Sequence, residues 1–371
     1  MPHSNSQPPL RLIYAGGTIG AAGTPLVPLA AKEFCARWDL SVAPVLAARP
    51  ETTGPVDWQW LEPALDSSDM GPADWLRLAD EVLRAAEEGS ATGVVLLHGT
   101  DTLASSAAAL SFLLTEIDNA GRPVARLPAT VVVTGSQRPL FDGDAVAPGT
   151  DALRNLSDAV AHAREAGPGV AVVFAGAQLP GARVTKGETE ADAAFLCPNG
   201  AAQPVALPDA APTALSTILD ALAPALGRRP VPVLHPMPEA PEHQAAVFEA
   251  LADGGGAGVA GLIVAGFGEG NLPARAATRI AAAIARLREA GAPVVAASQV
   301  AAGPAGRAAY ATGHWLREAG AVPAGLMTLE AAHAKLHIGA ALSRLHDWPL
   351  ATLEAFLMRD IAGETLPADP D

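Results

Sequence analysis

The stretch VVLLHGTDTLASSAAALSFLL, Val94–Leu114, passes from four uninterrupted apolar residues through a polar loop into an alanine-rich segment. The apolar run does not alternate, so it predicts a strand buried on both faces, as in a parallel sheet, with a helix following the loop. Six more runs of this kind recur along the chain, at Leu10–Tyr14, Val131–Val133, Val170–Phe174, Val231–Leu234, Leu262–Val264 and Val294–Val295. Helical patterns lie between them. In GPADWLRLADEVLRAAEEG (71–89), Trp75, Leu78, Ala79, Val82, Leu83 and Ala86 fall on one face, Pro72 suits the first turn and Gly89 the end. A second helix is expected over RAATRIAAAIARLREAG (275–291), stopping at Gly291.

Strands alternating with helices imply right-handed crossovers and an α/β fold. At 371 residues the chain is too long for one ordinary core and fits two domains. The Pro- and Gly-dense stretch 206–229 reads as a linker. It separates a larger N-terminal domain (10–205), a mostly parallel sheet flanked by helices, from a smaller C-terminal parallel-sheet domain (230–371). Residues 1–9 read as a flexible tail.

Half of the residues are hydrophobic and only 17% are charged, which predicts a large buried interior. Lys and Arg number 24 against 39 Asp and Glu, a formal charge of −15, and no basic cluster interrupts that excess. Such a surface repels phosphate backbones and argues against nucleic acid as a partner. No run reaches the ~18 apolar residues of a membrane span. The N-terminus has neither a basic segment nor a long apolar one, so the chain reads as cytoplasmic, with no membrane partner. Two cysteines, Cys35 and Cys197, make no disulfide framework.

In open parallel sheets, ligands collect at the carboxyl ends of the strands. After the first run comes AGGTIG with Thr18, and after Val94–Leu97 comes HGTDTLASS with His98, Thr100, Asp101 and Thr102. The third strand end carries TGSQRP with Ser136 and Gln137, and the fourth leads to GARVTKGE with Thr185 and Lys186. GGTIG lacks the spacing of a dinucleotide-binding turn and has no lysine for a phosphate loop, so no cofactor is expected. Taken alone, GGT reads as a tight turn with a half-buried threonine ahead of any functional reading. Asp101 or Thr102 would serve as a helix cap, but a cap needs one side chain, not three. His98 reads as structural, and Lys186 alone as a solvated bystander. Beside an aspartate and a threonine, a lysine can instead activate a hydroxyl. The histidines form no HxH or HExxH spacing, and no metal site is expected.

With these loops in hand, the sequence resembles the bacterial-type L-asparaginase family, and its cytoplasmic type I branch more than the periplasmic type II. The segments that carry the resemblance include AGGTIG, LDSSDMGPADW, LLHGTDTLASSAAALSFLL, VVVTGSQRPL, ARVTKGETEADAAFLCPN, GEGNLP and YATGHWLREAGAV. The resemblance implies a hydrolase that releases ammonia from the side chain of L-asparagine to give L-aspartate. It implies Thr18 as the nucleophile that takes the acyl group, and Thr100, Asp101 and Lys186 as a second catalytic cluster. Asp66, Ser67 and Ser68 match the segment that holds the substrate's α-carboxylate and α-amino groups, to which Thr100 and Asp101 also contribute. Asn271 matches a position that reaches a neighbour's substrate. A homo-oligomer, dimer or tetramer, is implied as well.

One departure stands out. The family's lid after the GGTI turn usually bears a tyrosine that contacts the first threonine, whereas here Leu26 falls about where it is expected. The chain has two tyrosines. Tyr14, inside the first run, reads as core. Tyr310 is the candidate to replace the lid tyrosine, with packing at the domain junction as its alternative. Other readings in view are an amidase on glutamine or a substituted asparagine, and a catalytically weak binding or sensing protein. The acidic charge disfavours a component of a tRNA-dependent amidotransferase.

Overall fold

The computed structural model describes residues 9–49, 54–87, 93–202, 204–254, 258–305 and 311–365. Residues 1–8 of the expected tail and Tyr310 lie outside the described residues. The chain divides into two compact units. The first comprises Met1–Leu114, Arg126–Cys197 and Pro208–Leu219, and the second Thr115–Ala125, Pro198–Leu207 and Asp220–Asp371. The stretch 206–229 contains an 11-residue helix, Pro212–Leu222.

The first unit is built on a six-stranded sheet. Its strands are β1 (Leu10–Gly16), β2 (Val56–Leu65), β3 (Gly93–Leu97), β4 (Thr130–Thr134), β5 (Gly169–Phe174) and β6 (Ala177–Pro180). They lie in the order β6-β5-β4-β3-β1-β2. All neighbours pair parallel except β5 with β6, which turn back on each other. Every residue of β3 and of β4 is buried, which is why both read as unbroken apolar runs. Between β1 and β2 the chain forms α1 (Ala31–Arg37) and α2 (Ala43–Ala47). The helix α3 (Pro72–Glu87) covers the sheet with Trp75, Leu78, Ala79, Val82 and Leu83 buried, and Ala85 is buried where Ala86 was expected. The α4 helix (Leu103–Leu113) is buried almost all round, and α5 (Ala152–Glu165) packs Leu156, Ala159, Val160 and Ala163 into the core.

The second unit holds a four-stranded parallel sheet with the strands in chain order: β7 (Val233–Leu234), β8 (Leu262–Gly266), β9 (Val294–Ser298) and β10 (Val322–Pro323). Helices Pro241–Asp253 and Ala277–Glu289 bury Phe248, Ile280, Ile284 and Leu287 against it, and the long helix Leu329–Leu345 also belongs to this unit. Each of the seven apolar runs overlaps a strand. Two strands of the first sheet carry no such run. In β2, VDWQWLEPAL, polar residues alternate with Trp58 and Trp60 because it is an edge strand with one wet face. The short edge strand β6, AQLP, follows β5 through a reversal at Ala175 and Gly176, both with positive φ.

Candidate active site

Parallel pairing places the carboxyl ends of β2, β1, β3 and β4 side by side, so their loops must meet. Tyr14 is opposite Leu97 and Leu97 opposite Thr134, while Gly16 pairs with Leu65 across a register shift. Two glycines let the loops close. A Cβ on Gly17, whose φ is +86°, would lie 2.4 Å from the Gly99 backbone. A Cβ on Gly99 would lie 2.4 Å from the Ser67 hydroxyl. No larger residue fits either place without pushing the loops apart. Gly17, Gly99 and Ser67 therefore stack, and three of the expected loops are in van der Waals contact.

Thr18, half-buried, opens a single 3₁₀ turn, Thr18–Gly20, directly beyond Gly17. Ser67 is 4% exposed, and its carbonyl accepts a hydrogen bond from the Thr102 hydroxyl at 2.7 Å. That bond corrects the capping expectation. Thr102 occupies the N-cap position of α4, but its side chain makes no cap bond and reaches across to the Ser67 loop instead. Asp66 and Ser68 are exposed, and the Asp66 carboxylate accepts from the Ser68 N–H and hydroxyl, both at 2.9 Å.

Thr100 is buried, and Lys186 Nζ donates to its Oγ1 at 3.0 Å and to Asp101 Oδ1 at 2.8 Å. Lys186 arrives by a longer route than its place after the fourth run suggests. The chain goes through β6, a 3₁₀ turn over Gly181–Arg183 and a short strand, Thr185–Lys186, paired with Phe195–Leu196. A clamp that the sequence did not reveal holds the neighbouring loop. Asp151, at the head of α5, accepts from the backbone N–H groups of Gln137 and Arg138. The Gln137 amide then donates to the carbonyls of Thr189 and Ala191, tying down the segment after Lys186. The signal was present in DALRNLSDAV, whose Asp151 and Asn155 are polar positions on a buried helix face.

His98 is fully buried, and burial pushes its imidazole down to about 4, so it is neutral at pH 7. Nδ1 donates to the Gly99 carbonyl at 2.7 Å, which fixes the ring beside the glycine stack. This agrees with a structural histidine. Tyr14 is core as expected, with its ring stacked on Phe34 at 4.4 Å. Asn271 is in the second unit, where it exchanges backbone hydrogen bonds with Phe267. Among the described residues, neither cysteine forms a disulfide, no three metal-ligating side chains cluster, and no helix is long and apolar enough to cross a membrane.

Known proteins share this sequence pattern and fold. Residues 10–207 match the family described as Asparaginase, N-terminal, and residues 238–347 match the Glutaminase/Asparaginase C-terminal domain. The L-asparaginase 1 of Escherichia coli K12 is 31% identical over 316 residues, covering 83% of this chain and 84% of that protein. One component of the glutamyl-tRNA(Gln) amidotransferase of Aeropyrum pernix is 32% identical over 313 residues, covering 80% of this chain and 66% of that protein. The solved structure of the thermostable L-asparaginase from Thermococcus kodakarensis superimposes with a TM-score of 0.73 at 27% identity, covering 97% of this chain and 99% of that one. The family matches, the Escherichia coli relative and the fold agree: this chain belongs to the asparaginase family.

Proposed function

We propose that the chain is an L-asparagine amidohydrolase that works through a threonine acyl-enzyme. The observation that carries this reading is the Lys186–Thr100–Asp101 cluster, 3.0 and 2.8 Å across, on loops packed against the Thr18 turn. In the first half-reaction the Thr18 oxygen attacks the side-chain amide carbon, and the C–N bond breaks. The Thr18 hydroxyl proton ends on the departing nitrogen, which leaves as ammonia. In the second, a water attacks the resulting ester, and its proton passes by way of the Thr100 hydroxyl toward the Thr18 oxygen. A proton returns to the Thr18 oxygen as the ester bond breaks and L-aspartate is released. Lys186, donating to Thr100 Oγ1, stabilises the negative charge that this oxygen carries during the relay. Backbone N–H groups at the Thr18 and Thr100 loops stabilise the tetrahedral oxyanion, at about 3 kcal/mol per donor in acyl-transfer enzymes.

Asp101 is exposed enough to receive the substrate's α-ammonium while still bound to Lys186, and Ser67 and its neighbours Asp66 and Ser68 hold the α-amino acid end. Tyr310 and Asn271 enter on the resemblance alone. On this reading the enzyme is a cytoplasmic homo-oligomer, with 10–205 as the catalytic domain joined to 230–371 through 206–229. Ammonia release from asparagine and glutamine, measured for the wild type and for Thr18→Ala and Thr100→Ala, tests the proposal. A loss of at least ~10³-fold in kcat is expected for each variant. Release that does not depend on these threonines would overturn it.

A further inference from the structure

The hydroxyl of Tyr14 is a polar group that core packing does not require. Its ring fills space against Phe34 and meets Trp60 edge-on at 5.9 Å, and a phenylalanine would fill the same space. The side chain is fully buried, and its oxygen lies 3.2 Å from the Gly20 carbonyl and 3.3 Å from the Leu29 carbonyl. These two residues have particular places in the chain. Gly20 ends the Thr18 turn, where its N–H donates to the Gly17 carbonyl at 3.1 Å. Leu29 returns from the far side of a hairpin in which Ala21 pairs with Pro28 and Ala22 with Val27, and its N–H donates to the Gly20 carbonyl at 2.8 Å. The Tyr14 hydroxyl thus touches both feet of the hairpin at the point where the nucleophile's turn ends. The fit is tight: a Cβ on Gly20 would lie 2.4 Å from the Tyr14 oxygen. The tip of the hairpin is apolar and exposed, with Leu26 and Val27.

We infer that Tyr14 is a positioning residue: its hydroxyl, shared between two backbone carbonyls, fixes the end of the Thr18 turn and the feet of the hairpin that follows. The inference rests on the reading of Thr18 as the nucleophile. Tyr14 does not substitute for the missing lid tyrosine as an acid or base. Its single proton is directed at carbonyls, and burial pushes the phenol well above its ordinary range, so it remains a neutral donor. Its role is geometric. Without the hydroxyl each of the two buried carbonyls loses one donor, the Gly20 carbonyl keeping the Leu29 N–H, and the hairpin is the part that can move to replace it with water.

The test is Tyr14→Phe in the full chain, which keeps the ring and removes one oxygen. Amide exchange over residues 20–29 is expected to quicken about tenfold, the size of one lost net hydrogen bond, with the rest of β1 unchanged. The kcat on asparagine is expected to fall about tenfold while KM moves less than about twofold, because the turn is misplaced and the substrate contacts are not. Unchanged exchange over 20–29 would overturn the inference, as would loosening spread through the whole aromatic cluster. Local loosening with unaltered kcat would overturn it too. Should Tyr14→Phe fail to fold, Gly20→Ala, whose Cβ would meet the ring edge and the oxygen of Tyr14 together, is expected to loosen the same segment. If the wild type releases no ammonia from asparagine, the amidohydrolase reading falls, and amide exchange alone decides whether the hydroxyl holds the hairpin.

Discussion

Each unit of the molecule contains a lysine–carboxylate pair, and the two are built for opposite purposes. In the second unit, Lys335 and Glu364 are both without exposure, with Nζ to Oε1 at 2.5 Å. Lys335 also donates to the Arg359 carbonyl, and Glu364 accepts from the N–H groups of Ile361 and Ala362. Burial alone would raise the Glu364 carboxyl, but the Lys335 charge and these hydrogen bonds hold it below its usual range. Nearby Asp360 is pushed up to about 6 by burial and by the Glu364 charge. In the first unit, the Lys186 side chain is 20% exposed and Asp101 63%, and the third partner is a hydroxyl, Thr100. The inner pair fastens the C-terminal segment to the helix Leu329–Leu345 and has no face left for a ligand. The outer pair is open on the Asp101 side. A satisfied pair is fastening, and a half-open one is available for chemistry.

Breaking the outer pair has the largest expected effect and leaves the fold in place. Lys186→Met should lower kcat on asparagine by at least ~10³-fold. Thermal unfolding should show a stability change within ~1 kcal/mol, as for exposed pairs. Breaking the inner pair reverses this pattern. Lys335→Met strands a buried carboxylate and should cost about 3–5 kcal/mol in denaturant unfolding, with kcat per folded molecule little changed. A stable Lys335→Met enzyme would show that the inner pair contributes nothing.

Among the described residues, each unit also contains a deeply buried neutral histidine, and acid sharpens the comparison. His98 and His337 both stand at about 4, lowered first by burial. Their folded values lie below the ordinary 6.5, so the unfolded chain takes up protons that the folded chain refuses. Stability is full above about pH 6.5 and falls as the pH drops toward 4, by about 3 kcal/mol for each site. Urea unfolding from pH 7 to pH 4.5 measures this loss, and His98→Asn and His337→Asn should each remove one share of the pH dependence.

Smaller effects test how the first unit's loops are held. Gly99→Ala must displace Ser67 and should raise KM for asparagine about tenfold, roughly 1.4 kcal/mol, with less effect on kcat. Thr102→Val removes one hydroxyl bond to Ser67 and should shift KM by about threefold to tenfold, about one net hydrogen bond.

How much of this was legible in the sequence follows from the same physics. Strands buried on both faces announce themselves as unbroken apolar runs, so β1, β3, β4 and β5 were visible. The edge strand β2 was not, because one wet face breaks the run with Asp57, Gln59 and Glu62. The meeting of the Thr18 and Thr100 loops followed from the strand-end rule, since it depends only on parallel order. The partners of individual hydroxyls did not follow. Thr102 sits where a cap belongs yet donates to Ser67, and Tyr14 sits where core belongs yet also holds the hairpin. Those choices depend on which carbonyl tertiary packing brings within about 3 Å, and one chain's residue pattern does not encode that distance.

In the proposed mechanism Thr18 takes the acyl group, and Thr100, through Lys186, discharges it. The most direct measurement mixes Thr100→Val with asparagine, stops the reaction early and characterises its peptides by mass spectrometry. The expected result is a burst of about one equivalent of ammonia and an aspartyl ester on the peptide containing Thr18. Steady ammonia release without an adduct, or an adduct on any other residue, would contradict it.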